Sequence, residues 1–174
     1  MKILIAYATT DGQTRKIARY CSDYLVNKGH SVELIPAQDA EPLDLARFDR
    51  AVLAGSLHAG GFQKDLHDLA EAHAEKLGEM DAVFLAVSLT AAGNDEEDWK
   101  GLHKCIARFE EETGWTPART LNVAGAFRFS EYDFFRAWAM RRIAAERDET
   151  VDTSADKEYT DWAALAREMD RLVA

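Results

Sequence analysis

Short apolar runs alternate with segments of helical period along nearly the whole chain, and this alternation narrows the possible folds more than any other feature. Residues 3–6 are an unbroken apolar run, as expected of a strand covered on both faces. A helical stripe follows through Ile17, Cys21, Tyr24, Leu25 and Lys28, with Gly29 placed where a helix stops. Residues 31–36 set Val32 and Leu34 against Ser31 and Glu33 and read as a second strand, and Pro36 and Pro42 fence the connection after it. A third strand is expected at 51–54, then a helix at 64–77 through Leu66, Leu69, Ala70, His73 and Leu77. A fourth strand is expected at 82–87, followed by a polar loop at 88–98. A helix then runs through Trp99, Leu102, Ile106 and Phe109 to Gly114. A fifth strand at 120–126 and a closing helix at 161–173 complete the pattern. Strands alternating with helices imply an α/β three-layer sandwich, a parallel sheet with helices on both faces. Right-handed crossovers leave few topologies, and the five-stranded order 2-1-3-4-5 is the common one at this length.

The 174 residues suit a single domain spanning 1–174, and 47% hydrophobic residues suffice for its core. The formal charge of −10 argues against general nucleic-acid binding, which needs a dense cationic face. Cys21 and Cys105 stand far apart and form no CxxC pair, so neither a disulfide framework nor a metal cluster is expected. The opening apolar run is too short for a signal peptide and no stretch is long enough to span a membrane, so a cytoplasmic chain is expected.

In an open parallel sheet ligands bind beyond the carboxyl ends of the strands where strand order reverses, here between strands one and three. Three loops meet there. The first offers Thr9, Thr10, Asp11, Gly12, Gln13 and Thr14 at the start of a helix, where free amides and partial positive charge suit a phosphate monoester held by neutral donors. A local role is equally open: Thr10 or Asp11 capping the helix. No lysine occupies a Walker position and no GxGxxG follows strand one, which disfavours nucleoside triphosphate and dinucleotide chemistry. The second loop, Ser56, Leu57, His58, Ala59, Gly60, Gly61 and Phe62, follows Gly55. Its glycines would admit a flat ring and His58 or Phe62 could stack on it; a plain turn and a solvated histidine are the alternatives. The third, Ser88, Leu89, Thr90, Ala91 and Gly93, repeats the small polar character. His67 and His73 lie six apart, which is no ligand spacing, and Cys21 reads as packing.

One segment breaks the alternation. Residues 127–159 form an insert between strand five and the last helix, far longer than an ordinary connection. From 127 to 147 it carries Arg128, Arg136, Arg141, Arg142 and Arg147 against Glu131, Asp133 and Glu146, a local +2 on an acidic chain. Phe129, Phe134, Phe135 and Trp138 are interleaved with them. The pattern suits an anionic apolar substrate, an interfacial helix on anionic lipid, or an ordinary amphipathic helix with snorkelling arginines.

The fragment Tyr7-Ala8-Thr9-Thr10-Asp11-Gly12-Gln13-Thr14 resembles the phosphate loop of flavodoxins. More narrowly, the chain is similar to the bacterial quinone-dependent (menaquinone-dependent) protoporphyrinogen dehydrogenases. That likeness rests on Phe48-Asp49-Arg50, Trp115-Thr116-Pro117, the run Val123-Ala124-Gly125-Ala126-Phe127-Arg128-Phe129 and the closing Tyr159-Thr160-Asp161-Trp162. The resemblance implies a flavodoxin-like fold, noncovalent flavin mononucleotide (FMN) in the three loops, and oxidation of protoporphyrinogen IX with electrons passed to a quinone. The insert would then contact the porphyrin or the membrane, giving a cytoplasmic protein with peripheral contact to the inner membrane. Ala59 stands where that family has an aromatic, and Asp95, Glu96, Glu97 and Asp98 where it has basic residues. A long-chain flavodoxin carrying electrons between proteins, and a flavodoxin-fold module without flavin, are the other readings.

Overall fold

The computed structural model describes residues 1–40, 42–127 and 157–174. Strands β1 (Lys2–Tyr7), β2 (Ser31–Pro36), β3 (Arg50–Ser56), β4 (Asp81–Ser88) and β5 (Arg119–Ala124) form one parallel sheet in the order β2-β1-β3-β4-β5. Tyr7 pairs with Ala54, Ser56 with Val87 and Ser88 with Ala124, so the carboxyl ends of four strands share one edge.

The pleat divides the apolar residues between two cores. Leu4, Leu53 and Phe84 face α3 (Lys64–Ala72), α4 (Ala74–Glu79) and α5 (Glu96–Thr113), packing with Leu66, Leu102, Phe109 and Trp115. Ile3, Ile5, Val52 and Leu85 face α1 (Gln13–Asn27) and α6 (Trp162–Val173), packing with Ile17, Cys21, Leu25, Leu165 and Met169. Cys21 has no exposed surface, and its burial pushes the thiol up to about 12, consistent with a packing role. Gly29 ends α1 region with φ 88, the left-handed conformation expected of a stop glycine.

The structure revises several expected elements. The helix expected at 64–77 is two helices, parted at His73, which leaves helical dihedrals (φ −121, ψ 18). The break falls at the one stripe position bearing a polar ring. The connection between Pro36 and β3 is not a plain loop: it holds α2 (Ala37–Ala40) and a 3-10 turn, Leu45–Arg47, capped by the Asp44 carboxylate on the Ala46 amide. The acidic run expected in a loop instead begins α5: Asp95 accepts from the Asp98 amide at 3.0 Å, while Glu96, Glu97 and Asp98 fill the first turn. A 3-10 turn, Thr90–Ala92, precedes it. Strand five stops at Ala124, one residue before Gly125, and the chain continues as β6 (Ala126–Phe127). That short strand pairs antiparallel with β7 (Lys157–Glu158), joining Ala126 to Glu158 and Phe127 to Lys157. The two ends of the long insert therefore meet in a stem. Arg128, Phe129, Phe134, Phe135, Arg136, Trp138, Arg141 and Arg142 lie outside the described residues.

Candidate functional site

The first loop leaves β1 and enters α1 through Gly12, whose φ of 95 a side chain would resist. Thr9 Oγ1 accepts from the Gly12 amide at 2.9 Å and Asp11 Oδ1 from the Gln13 amide at 3.1 Å. Lys16 makes the first backbone bond of the helix, to the Gly12 carbonyl, so the amides of Gln13, Thr14 and Arg15 precede the ladder. Of the two capping candidates, Asp11 closes a local turn, whereas Thr10 turns its hydroxyl to Gln63. Thr14 is wholly buried, and its hydroxyl has no hydrogen-bond partner among the described residues. An orphaned hydroxyl in the first turn of this helix fits a loop built to meet an acceptor that a phosphate ester would bring.

Gln63, just before α3, joins the first two loops. Its Nε2 donates to Thr10 Oγ1 at 3.1 Å and to Ser56 Oγ at 2.6 Å, while its Oε1 accepts from the Ser56 amide at 3.1 Å. Thr9, Thr10 and Ser56 each accept a bond, so each hydroxyl proton remains for donation to an oxyanion. Neutral donors thus line the junction of β1 and β3. The sequence reading missed Gln63; its position directly before a helix was the only local signal.

The second loop turns at Ala59 and Gly60, both with positive φ (47 and 79). The bonds His58 N to Gly61 O, 2.9 Å, and Gly61 N to His58 O, 3.0 Å, close a two-residue turn of the type I′ kind. His58, Ala59 and Gly60 are exposed. Phe62 turns inward, its ring edge-on to Phe84 at 5.0 Å and to Phe109 at 5.4 Å. Gly55 does not wait for a flat ring: a Cβ there would stand 2.3 Å from Leu66 Cδ2, so the close approach is to helix α3.

In the third loop Ser88 Oγ accepts from the Ala91 amide at 3.2 Å, and Trp99 Nε1 donates to the Gly93 carbonyl at 2.8 Å. Trp99 therefore anchors this loop from α5, a role its apolar stripe position did not announce. Leu57 N donates to Val87 O at 2.8 Å, tying the second loop to the edge from which the third departs.

A fourth segment closes on the first loop. Gln13 Nε2 donates to Glu158 Oε2 and to Thr160 Oγ1, both at 3.1 Å, and Thr160 donates to the Ala124 carbonyl at 2.7 Å. Lys16 pairs with Glu158, and Trp162 Nε1 donates to the same carboxylate at 3.1 Å. Burial alone would raise the Glu158 carboxyl; the bonds from Lys16, Gln13 and Trp162 outweigh it and hold the group below its usual range. The Gln13 side chain, expected among the phosphate donors, is thus bound to the segment that follows the insert. Among the described residues no cluster of His, Cys, Asp or Glu could hold a metal ion, and no helix is long and apolar enough to cross a membrane.

The chain is 29% identical over 175 aligned residues to a protein of Escherichia coli strain K12 named protoporphyrinogen IX dehydrogenase [quinone], covering 99% of this chain and 96% of the relative. It is 26% identical to a protein of the same name from Leishmania major, over 95% of this chain and 72% of the relative. Its fold is similar to that of oxidised flavodoxin 1 from Bacillus cereus, with a TM-score of 0.58 and 15% identity, covering 99% of this chain and 97% of the other. The family described as flavodoxin domain matches residues 4–154, most of the sheet and its helices, and the chain belongs to that family.

Proposed function

We propose that the protein is an FMN-dependent dehydrogenase that oxidises protoporphyrinogen IX to protoporphyrin IX and passes the electrons to a quinone. The observation that carries this reading is the similarity, over nearly the full length of both chains, to the E. coli relative whose name gives that substrate and acceptor. The unpartnered Thr14 hydroxyl and the neutral donors around it support FMN as the group bound. Thr9, Thr10, Asp11, Gly12, Gln13, Thr14 and Ser56 would surround the phosphate. Residues 57–62 and Ser88, Leu89, Thr90, Ala91 and Gly93 would flank the ring. Bound FMN supplies a two-electron acceptor for the substrate's hydrogen and a donor for the quinone. The chain supplies position: hydroxyls and amides fix the phosphate without a cation, and Gln63 and Trp99 hold the loops on either side of the ring.

The insert is read as the contact for the substrate's carboxylates and apolar face, through Arg128, Arg136, Arg141 and Arg142 beside Phe129, Phe134, Phe135 and Trp138, with peripheral membrane contact where quinone resides. The test is anaerobic oxidation of protoporphyrinogen by FMN-loaded protein, followed by porphyrin fluorescence, with menaquinone or ubiquinone as acceptor. Turnover that needs both FMN and quinone is the expected result; a yellow protein that leaves the porphyrinogen unoxidised overturns the assignment. The second reading, an electron carrier, is favoured by the charge of −10 and by Glu96, Glu97 and Asp98 beside the third loop, which would steer a basic redox partner. It predicts salt-sensitive reduction of such a partner and no porphyrinogen turnover.

A further inference from the structure

Helix α5 reaches the tip of the second loop with two side chains. Cys105 Sγ donates to the Gly60 carbonyl at 3.3 Å, and Arg108 Nη2 donates to the same oxygen. The peptide between Gly60 and Gly61 is therefore fixed at both ends, because its N–H is already bonded to the His58 carbonyl. Apart from the paired His58–Gly61 backbone bonds, the tip of the turn is open to solvent. His58, Ala59 and Gly60 are exposed, a Cβ at Gly60 would meet nothing within 4 Å, and Ala59 occupies the left-handed region that alanine resists. Arg108 is itself braced by Glu112, 4.0 Å away on the next turn of the same helix. A charged donor that spends its bond on the carbonyl of a bare loop tip acts on the conformation of that tip.

We propose that Arg108, with Cys105, is a positioning residue for the cofactor ring: it touches neither phosphate nor ring, and it holds the Ala59–Gly60 turn in the shape against which the ring lies. This rests on the FMN reading above. Loss of the clamp lets the strained turn sample other conformations, so ring contacts weaken while phosphate contacts stay intact. Arg108 then differs from Thr14 in a measurable way, since riboflavin has the ring without the phosphate.

The experiment uses the full chain as Arg108→Ala, Arg108→Lys, Cys105→Ser and Thr14→Val. Fluorescence titration gives the affinity of each for FMN and for riboflavin, and amide hydrogen exchange follows His58 and Gly61 in the cofactor-free protein. Arg108→Ala should weaken FMN and riboflavin binding by the same factor, about tenfold, and speed exchange of the Gly61 amide about tenfold. Arg108→Lys should restore most of both, and Cys105→Ser should give a smaller effect of the same sign. Thr14→Val should weaken FMN alone. Unchanged Gly61 exchange in Arg108→Ala overturns the clamp whether or not flavin binds. A loss confined to FMN overturns the ring assignment. A wild-type chain that takes up neither ligand, with Gly61 exchange still dependent on Arg108, overturns the FMN reading and the ring assignment and leaves the clamp standing.

Discussion

At the scale of single residues, the useful distinction is between groups already satisfied and groups that are not. Thr14 is the second kind: a hydroxyl with no accessible surface and no partner among the described residues. Burying such a group costs roughly 1–3 kcal/mol. Thr14→Val keeps its shape and removes the polar atom, so the cofactor-free protein should gain up to about 1 kcal/mol in urea unfolding. Equal or lower stability of the variant would mean that the hydroxyl does find a partner. Glu158 is the first kind. Its carboxyl is held below the ordinary range, so its contribution to stability is complete above the unfolded pKa and is lost as pH falls through the folded value. Glu158→Gln should therefore lower the unfolding midpoint at neutral pH and leave it unchanged near pH ~3, below the usual carboxylate range. A deficit that persists undiminished in acid would place the effect elsewhere. The Gln13 contacts show where sequence reading ends. Its loop was legible as a helix entrance, but its partners Glu158 and Thr160 lie 145 and 147 positions away, and no local pattern reports such a pairing.

At the scale of elements, apolar runs located the three central strands β1, β3 and β4, because a strand covered on both faces has no polar alternation to hide it, whereas the edge strand β2 was legible from the alternation of Val32 and Leu34 with Ser31 and Glu33. Element ends were less legible. The Asp95–Asp98 run is polar enough for a loop, and only the Asp95 carboxylate accepting from the Asp98 amide distinguishes it as a helix cap and first turn. Glycine is ambiguous for a similar reason: a sequence shows that a side chain is missing but not which neighbour needs the space. Gly55 and Gly78 make the contrast testable. A Cβ at Gly55 would press on Leu66, which is fully buried and cannot swing into solvent, so Gly55→Ala should cost about 2 kcal/mol by overpacking. A Cβ at Gly78 meets nothing within 4 Å and lies inside α4, so Gly78→Ala should stabilise by about 0.5–1 kcal/mol. Chemical denaturation of both variants checks the pair; similar effects at the two sites would undo the assignment of Gly55 to the α3 contact.

At the scale of the whole molecule, the chain joins an ordinary sheet-and-helix frame to a long addition whose ends the frame itself brings together. Composition made the addition visible, since arginine and aromatic residues rise together there in a chain of charge −10. The meeting of its ends was not visible, because β6 and β7 are two residues each and carry no periodic signal. Phe127 faces Lys157 across an antiparallel pair, a separation that a two-residue hairpin turn can span. Replacing residues 128–156 by Asn-Gly should therefore leave the frame, the Thr160–Ala124 and Gln13–Thr160 bonds, and the three loops in place. The shortened protein should keep its FMN affinity within about threefold, since the proposed cradle lies wholly outside the removed segment. Porphyrinogen turnover should fall by at least about a hundredfold, as the segment carries every arginine proposed to meet the substrate's carboxylates. Loss of FMN binding with the fold intact would show that the insert completes the cofactor site. Full turnover would remove the insert from substrate recognition and return the search for the porphyrinogen contact to the exposed tip at His58 and the acidic start of α5.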